Sequence, residues 1–359
     1  MRSLLSAAFL LVSAGVAADR VELVERQLLG RTLDVRLSHE SEAELVRLET
    51  LVDGVAVEGA GEPERRVERR RRVEWRDRTT GVEEGDLQAL ERTYGVVEEE
   101  AAMLLVDPAG GRHERTDRRV APAIGEALLF RLGDEGWQVE LAPAKTGDGG
   151  GEVEDPEPAA GRPAWLDGLD PTPGWGRLLP EGPLESGATW DLPVELLAEL
   201  RAPGGDLAWE LVDGADDAGN EVTGPPDSVL YAGELSARLD AVEGDRARIE
   251  LVAEVTLTQD LTPWLPTPGE HEGGGHGHPP TAASLVIEST LAGRGLATWD
   301  LEAGRLVDLR LDLEGSEVET TNFGHQNLAA GPASHDVELV MRVTSSLAER
   351  LRVTVEPGS

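Results

Sequence analysis

Between Arg246 and Thr258 the chain reads RARIELVAEVTLT, and its apolar residues fall on one parity. Ala247, Ile249, Leu251, Ala253, Val255 and Leu257 alternate with Arg246, Arg248, Glu250, Glu254, Thr256 and Thr258; only Val252 breaks the pattern. A period of two held this long is a β-strand with one dry face and one wet face. Such a strand commits its neighbours to a sheet. The same alternation returns at Leu235–Leu239, Leu285–Leu291, Val307–Leu313, Val337–Val343 and Leu351–Val355. Tight turns at Glu243-Gly244-Asp245 and Ala303-Gly304 join consecutive runs. Long strands linked this way form an antiparallel meander, and a wide sheet of them twists and curls. Its apolar face must be covered by a helix, a second sheet or a ligand.

Earlier in the chain the pattern is less regular. Leu33, Val35 and Leu37 alternate with polar residues, and Asp53-Gly54 stands between Val46–Val52 and Val55–Val57 as a hairpin turn. Leu45, Leu48, Leu51 and Val52 also fit helical spacing, but the turn favours strands. Leu128–Leu132 and Trp137–Leu141 flank Gly133-Asp134-Glu135-Gly136 as a second hairpin. Glu64–Arg78 carries eight arginines; as a strand it sets Arg66, Glu68, Arg70, Arg72, Glu74, Arg76 and Arg78 on one face and Val67, Val73 and Trp75 on the other. A patch of this kind could bind anions. With acids interspersed, it reads as a solvated face whose arginines pair with glutamates on adjacent strands. Val194–Arg201 is the best short helix.

The expected fold class is therefore mainly β, an α+β chain with few helices: large curved antiparallel sheet material in meander order, as one sheet or two sheet units. Residues 1–18 read as a signal peptide, from Arg2, the apolar run Leu4–Val12 and the small residues Gly15–Ala18. Residues 19–145 form an N-terminal β-rich part. Residues 146–162, rich in Gly, Pro and acid, form a linker. Residues 163–359 form the C-terminal meander part, with a loop at 263–282 expected to be disordered. No later apolar run approaches the roughly 20 residues of a membrane helix. The expected location is the periplasm or the exterior of a bacterium.

Charge and cysteine content narrow the partners. The formal net charge is −36, which repels nucleic-acid backbones and acidic lipid. There is no cysteine, hence no disulfide, no thiol nucleophile and no acylated cysteine to serve as a lipid anchor. The oligomeric state is not legible.

The segment Pro180-Glu181-Gly182-Pro183-Leu184-Glu185-Ser186-Gly187-Ala188-Thr189-Trp190 resembles a motif, Pro-x-x-Pro-[Val/Leu]-x-x-Gly-x-[Ser/Thr]-Trp followed by a β-meander, of exported bacterial proteins of unknown function. The resemblance implies an extracytoplasmic, β-rich protein and brings no activity with it. The residues also explain themselves physically. The prolines hold an extended approach, Gly187 turns, and Trp190 anchors the segment. Ala188-Thr189-Trp190-Asp191-Leu192 recurs as Ala297-Thr298-Trp299-Asp300-Leu301, without matching flanks.

The sharpest candidate for chemistry is Glu270-His271-Glu272-Gly-Gly-Gly-His276-Gly-His278. His271, Glu272, His276 and His278 together suit Zn, Cu or Ni. The spacing differs from the zinc-protease helix, and three glycines would break that helix. A solvated loop is the plainer reading, and no cofactor is required. Two more histidines, His325 and His335, sit beside polar residues, but consecutive Ser334-His335-Asp336 cannot form a triad because adjacent side chains on an extended chain diverge. The acidic runs at Asp213–Glu221 and Asp148–Asp155 lack the order of a calcium loop. Trp165, Trp175, Trp190 and Trp209 crowd the middle of the chain; they could stack on sugars, yet beside prolines they more naturally pin loops to a core. The expected function is a non-enzymatic binding or structural protein holding an apolar or polymeric (polysaccharide) ligand on the curved sheet. The alternatives are a metal-binding protein acting through residues 270–278 and a hydrolase of unknown type.

Overall fold

The computed structural model describes residues 20–57, 63–134, 136–142, 163–171, 174–213, 229–265, 282–329 and 334–358. Its strands are β1 (Thr32–Val52), β2 (Val55–Val57), β3 (Glu64–Glu83), β4 (Asp86–Val106), β5 (Arg112–Val120), β6 (Ala127–Gly133) and β7 (Gly136–Leu141). They continue as β8 (Thr189–Leu192), β9 (Glu210–Asp213), β10 (Val229–Glu243), β11 (Arg246–Asp260), β12 (Ser284–Asp300), β13 (Arg305–Ala329) and β14 (Ser334–Pro357). The one α-helix among the described residues, α1 (Leu196–Arg201), spans a single turn and a half.

The fold is mainly β, and all fourteen strands belong to one sheet: eleven run in the order β7-β6-β4-β3-β1-β14-β13-β12-β11-β10-β8, β2 pairs with β1, and β5 pairs with β4 and β9. The sheet is antiparallel throughout and does not close. The two parts expected from the sequence are joined in one sheet rather than stacked as two. The join is β1 against β14, in register from Leu33↔Pro357 to Val52↔Leu339 with one bulge near Leu45/Arg47. The Asp53-Gly54 turn has φ of 51° and 75° at its two residues, the signature of a two-residue hairpin. Both predicted hairpins are present.

Two contacts reveal how strongly the sheet bends. Arg65 on β3 and Glu319 on β13 approach to 3.8 Å although β1 and β14 lie between them; three steps in a flat sheet would hold their backbones about 14 Å apart. Arg201 in turn stands beside both Glu349 of β14 and Tyr231 of β10. Inward-facing glycines make the bend sterically feasible. A Cβ on Gly293 of β12 or Gly315 of β13 would collide with the carbonyl of Asp312 or Thr290 on the adjoining strand, so the backbones can approach only without side chains.

The apolar core is densest in one half of the concave face and continues past it at Leu257, Leu291 and Leu347. It takes Val35 and Leu37 from β1, Val73 and Trp75 from β3, Ile249 and Leu251 from β11, Leu309 and Leu311 from β13, and Leu351 and Val353 from β14. It is covered by the chain itself. The segment from 163 onward contributes Leu166, Trp175 and Leu178, then α1 with Leu196, Leu197 and Leu200 all fully buried. Its β8 pairs with β10 at one margin of the sheet, and its β9 pairs with β5 at the other. It thus crosses the hollow as a strap. No alternation marks β9 in the sequence, since its Leu211 and Val212 are exposed.

Three tryptophans hold the strap and the N-terminal segment. Trp175 is buried, Trp190 Nε1 donates to the Leu178 carbonyl at 3.0 Å, and Trp299 Nε1 donates to the Val24 carbonyl at 3.3 Å. A buried ionic knot adds a further tie. Arg92 is wholly buried; its Nε and Nη2 donate to Asp77 at 2.7 and 3.0 Å, and Nη1 and Nη2 donate to the carbonyls of Asp170 and Pro171 at 2.9 Å each. Trp75 Nε1 donates to the same carboxylate at 2.9 Å, and the guanidinium lies 5.1 Å from the Trp75 ring and 5.3 Å from that of Phe130. Burial opposes the charge on Arg92, but Asp77 and its hydrogen bonds outweigh that, and its pKa is raised. Every polar end of the knot is engaged, which is what a buried charge requires.

Candidate functional site

Along the concave face the lining changes character. Beyond Leu37, Leu313 and Leu351 the inward positions of the same strands turn polar. On β1, His39 follows Leu37; on β14, Glu349 precedes Leu351; on β3, Arg71 precedes Val73; on β4, Glu99 follows Val97. Period-two geometry puts each on the face of its apolar neighbour. The result is a collar of charge at the rim of the core.

One side of the collar is Arg201–Glu349–His39. Arg201 Nη2 donates to Glu349 Oε2 at 2.6 Å, and His39 Nε2 lies 3.5 Å from the same oxygen. The three side chains are 14%, 12% and 17% exposed. Burial raises the Glu349 pKa, but His39 and Arg201 outweigh it and hold the carboxyl below its usual range. On the other side Arg71 donates to Glu99 through Nε at 2.9 Å and Nη2 at 2.7 Å, with Arg119 3.6 Å from the second carboxylate oxygen. The Arg71 guanidinium sits 5.0 Å from the ring centroid of Trp209, on the strap. Between the two sides lies a cavity of about 120 Å³ lined by Leu37, Val73, Leu207, Trp209, Arg71 and Arg201 among others.

Past the collar polar side chains are interspersed with Leu291, Val343 and Leu347 on the inward positions. Ser289, Thr321 and Ser345 are buried against the bend, and the Arg65–Glu319 contact spans it. Ser289 Oγ donates to Glu317 Oε2 at 3.2 Å. Burial pushes the Glu317 carboxyl up, against the pull of Ser289 and Arg69. A serine beside a carboxylate suggests a nucleophile and base. Here, however, Ser289 lies mid-strand, paired with Leu257 on one side and Glu317 on the other. Its amide is spent on the ladder and cannot stabilise an oxyanion.

Of the residues singled out in the sequence, His271, Glu272, His276 and His278 lie outside the described residues, as do the acidic runs apart from Asp213. The backbones of His325 and His335 belong to β13 and β14, where they pair with Glu338 and Leu328; their side chains lie outside the description. Among the described residues no cluster of three His, Cys, Asp or Glu is placed to hold a metal ion. The outer face of β3 is a paired surface, partly across strands and partly along one: Arg66 contacts Glu42 and Arg76 contacts Asp34 on β1, whereas Arg66 also contacts Glu68 and Arg72 contacts Glu74 on β3 itself. The inward arginines Arg65, Arg69 and Arg71 escaped the sequence reading, although their parity with Val67, Val73 and Trp75 marks them. No described helix is long and apolar enough to cross a membrane.

Compared with family models and with curated proteins, the chain matches none.

Proposed function

We propose that the protein is an exported, non-enzymatic binding protein that holds a hydrophilic polymer, of the polysaccharide class, along the polar half of its concave face. One observation carries this reading. The apolar half of the hollow is filled by the protein's own strap, whereas beyond the collar hydroxyl and paired charged side chains, Ser289, Ser345, Arg65 and Glu319 among them, share the face with Leu291, Val343 and Leu347. A long ligand rich in hydroxyls can exchange hydrogen bonds with the polar groups and lay its C–H faces on the aliphatic ones. Export rests on the order of charge, apolar run and small residues in Met1–Ala18.

Affinity electrophoresis of the purified chain through gels containing neutral and acidic polysaccharides tests the reading. Retardation by at least one polymer is expected for the wild type, weakened in an Arg65→Ala/Arg69→Ala variant. Unretarded migration through every polymer, or equal retardation of both proteins, refutes it.

A further inference from the structure

The convex face of the sheet carries the one residue that breaks the alternation of β11. Val252 faces outward between the wet-face residues Glu250 and Glu254 and is 36% exposed, an arrangement that forgoes the gain of burial. It lies in a shallow hollow of about 320 Å³, walled by Thr189 of β8, Ser236 and Arg238 of β10, Glu250 of β11 and Arg294 of β12. Ser236 and Arg294 stand directly across from Val252 on the two adjoining strands. Leu296, the other exposed aliphatic of this region, stands across from Glu250. The volume suits roughly twelve or thirteen non-hydrogen atoms, since a cavity of about 150 Å³ accommodates benzene. That is the size of a single sugar-acid ring.

The charges of the hollow run in one direction. Arg238 donates to Glu250 through Nε at 3.0 Å, with Nη2 at 2.8 Å from the same oxygen. Arg294 comes no nearer than 3.7 Å to the other oxygen and is 78% exposed. One carboxylate thus serves two guanidiniums, and Arg294 keeps donors for a ligand. Asp312, across from Arg294 on β13, lies 3.6 Å from Arg350. At the far end Asp191 of β8 stands across from Ser236, three strand spacings or about 14 Å from Arg294. A neutral sugar offers Arg294 no charged acceptor, a bare anion leaves Val252 uncovered, and a cation meets Arg238 and Arg294. We propose that this hollow binds a sugar acid of the hexuronate class, its carboxylate accepting from Arg294, its C–H face on Val252 and its hydroxyls exchanging hydrogen bonds with Thr189, Ser236 and Glu250. The site goes beyond the concave-face reading and stands without it, because the sheet separates the two faces. The net charge of −36 opposes an approaching anion, but beyond about 8 Å it is screened at physiological ionic strength.

Ligand-detected NMR titration of the full chain in about 0.15 M salt tests the site with three probes: glucuronate, glucose as its neutral counterpart, and acetate as the anion without a ring. Saturable binding of glucuronate is expected, with glucose and acetate each about ten-fold weaker or more. Arg294→Gln keeps a polar side chain but removes the charge, and is expected to weaken glucuronate about ten-fold, to the level of glucose. Val252→Glu sets a further carboxylate on the floor between Glu250 and Glu254, and is expected to abolish glucuronate binding. Both substitutions fall on exposed positions, and an unchanged circular dichroism spectrum shows that each variant is folded. Absence of saturable glucuronate binding overturns the site. So does acetate or glucose binding as tightly as glucuronate, or glucuronate binding indifferent to both substitutions.

Discussion

Arg92 offers the most exacting test of how the strap is fastened. Arg92→Met keeps a stem of similar length in the core and removes every donor. Asp77, 8% exposed, is then left as a buried carboxylate with only Trp75 Nε1 as a side-chain donor, and the Asp170 and Pro171 carbonyls lose their Arg92 donors. Breaking a buried pair from one side costs about 3–5 kcal/mol. Against a typical total of roughly 5–15 kcal/mol, that is a large share of the stability. Most of the cost comes from the stranded charge rather than the lost contacts. Arg92→Met/Asp77→Asn, which neutralises the site and keeps an acceptor for Trp75, should therefore recover about 2 kcal/mol or more of it. Urea unfolding of the four proteins of the cycle gives the energies. Hydrogen exchange at residues 163–171 shows whether the strap loosens locally before the sheet unfolds. An Arg92→Met cost below about 1 kcal/mol, or a double variant no more stable than the single one, would show that the knot does not fasten the strap in the way described.

Two carboxylates of the concave face should respond to pH in opposite directions. Glu317 is raised from its ordinary value of 4.5, so its ionised form is disfavoured in the fold and costs stability above its folded pKa. Glu317→Gln is therefore expected to raise the urea midpoint at pH 7, the gain vanishing as pH falls below 4.5. Glu349 is lowered from the same ordinary value. It contributes stability above 4.5 that is lost as pH falls through its folded pKa, so Glu349→Gln should destabilise at neutral pH and progressively less in acid. Gly315→Val should cost about 1–3 kcal/mol in urea unfolding, because the new side chain meets the neighbouring backbone at the bend; a neutral outcome would mean that the curvature does not depend on this close approach.

What could be read from the residues follows from the range of the interactions involved. The alternation at 246–258 and 305–314, and the turns at Asp53-Gly54 and Gly244, are local signals and correspond to β11, β13 and the hairpins around them. Local pattern does not state which strand lies beside which when the partners are far apart, so the β1–β14 seam and the single sheet were not legible. The collar was readable in part. Arg71 and Arg65 share the parity of Val73, and Asp77 and Arg92 occupy inward positions beside Trp75 and Tyr94; charge on a core parity flags a buried pair. Which partner each charge meets depends on the bend, and the bend depends on glycines such as Gly293 whose effect is felt only across strands.

The seam between β1 and β14 also fixes an order of events. The strand β1 has as its neighbour β14, made some 280 residues later, so the middle of the sheet stays open until β14 has been made. Until then Leu37 and Val353 have no common interior to enter, and the flanks of β1 and β13 stand as bare templates for any passing strand. A chain built this way gains by emerging through β14 before it assembles, and removing Ser334–Pro357 would cost it the midline of the sheet rather than a margin.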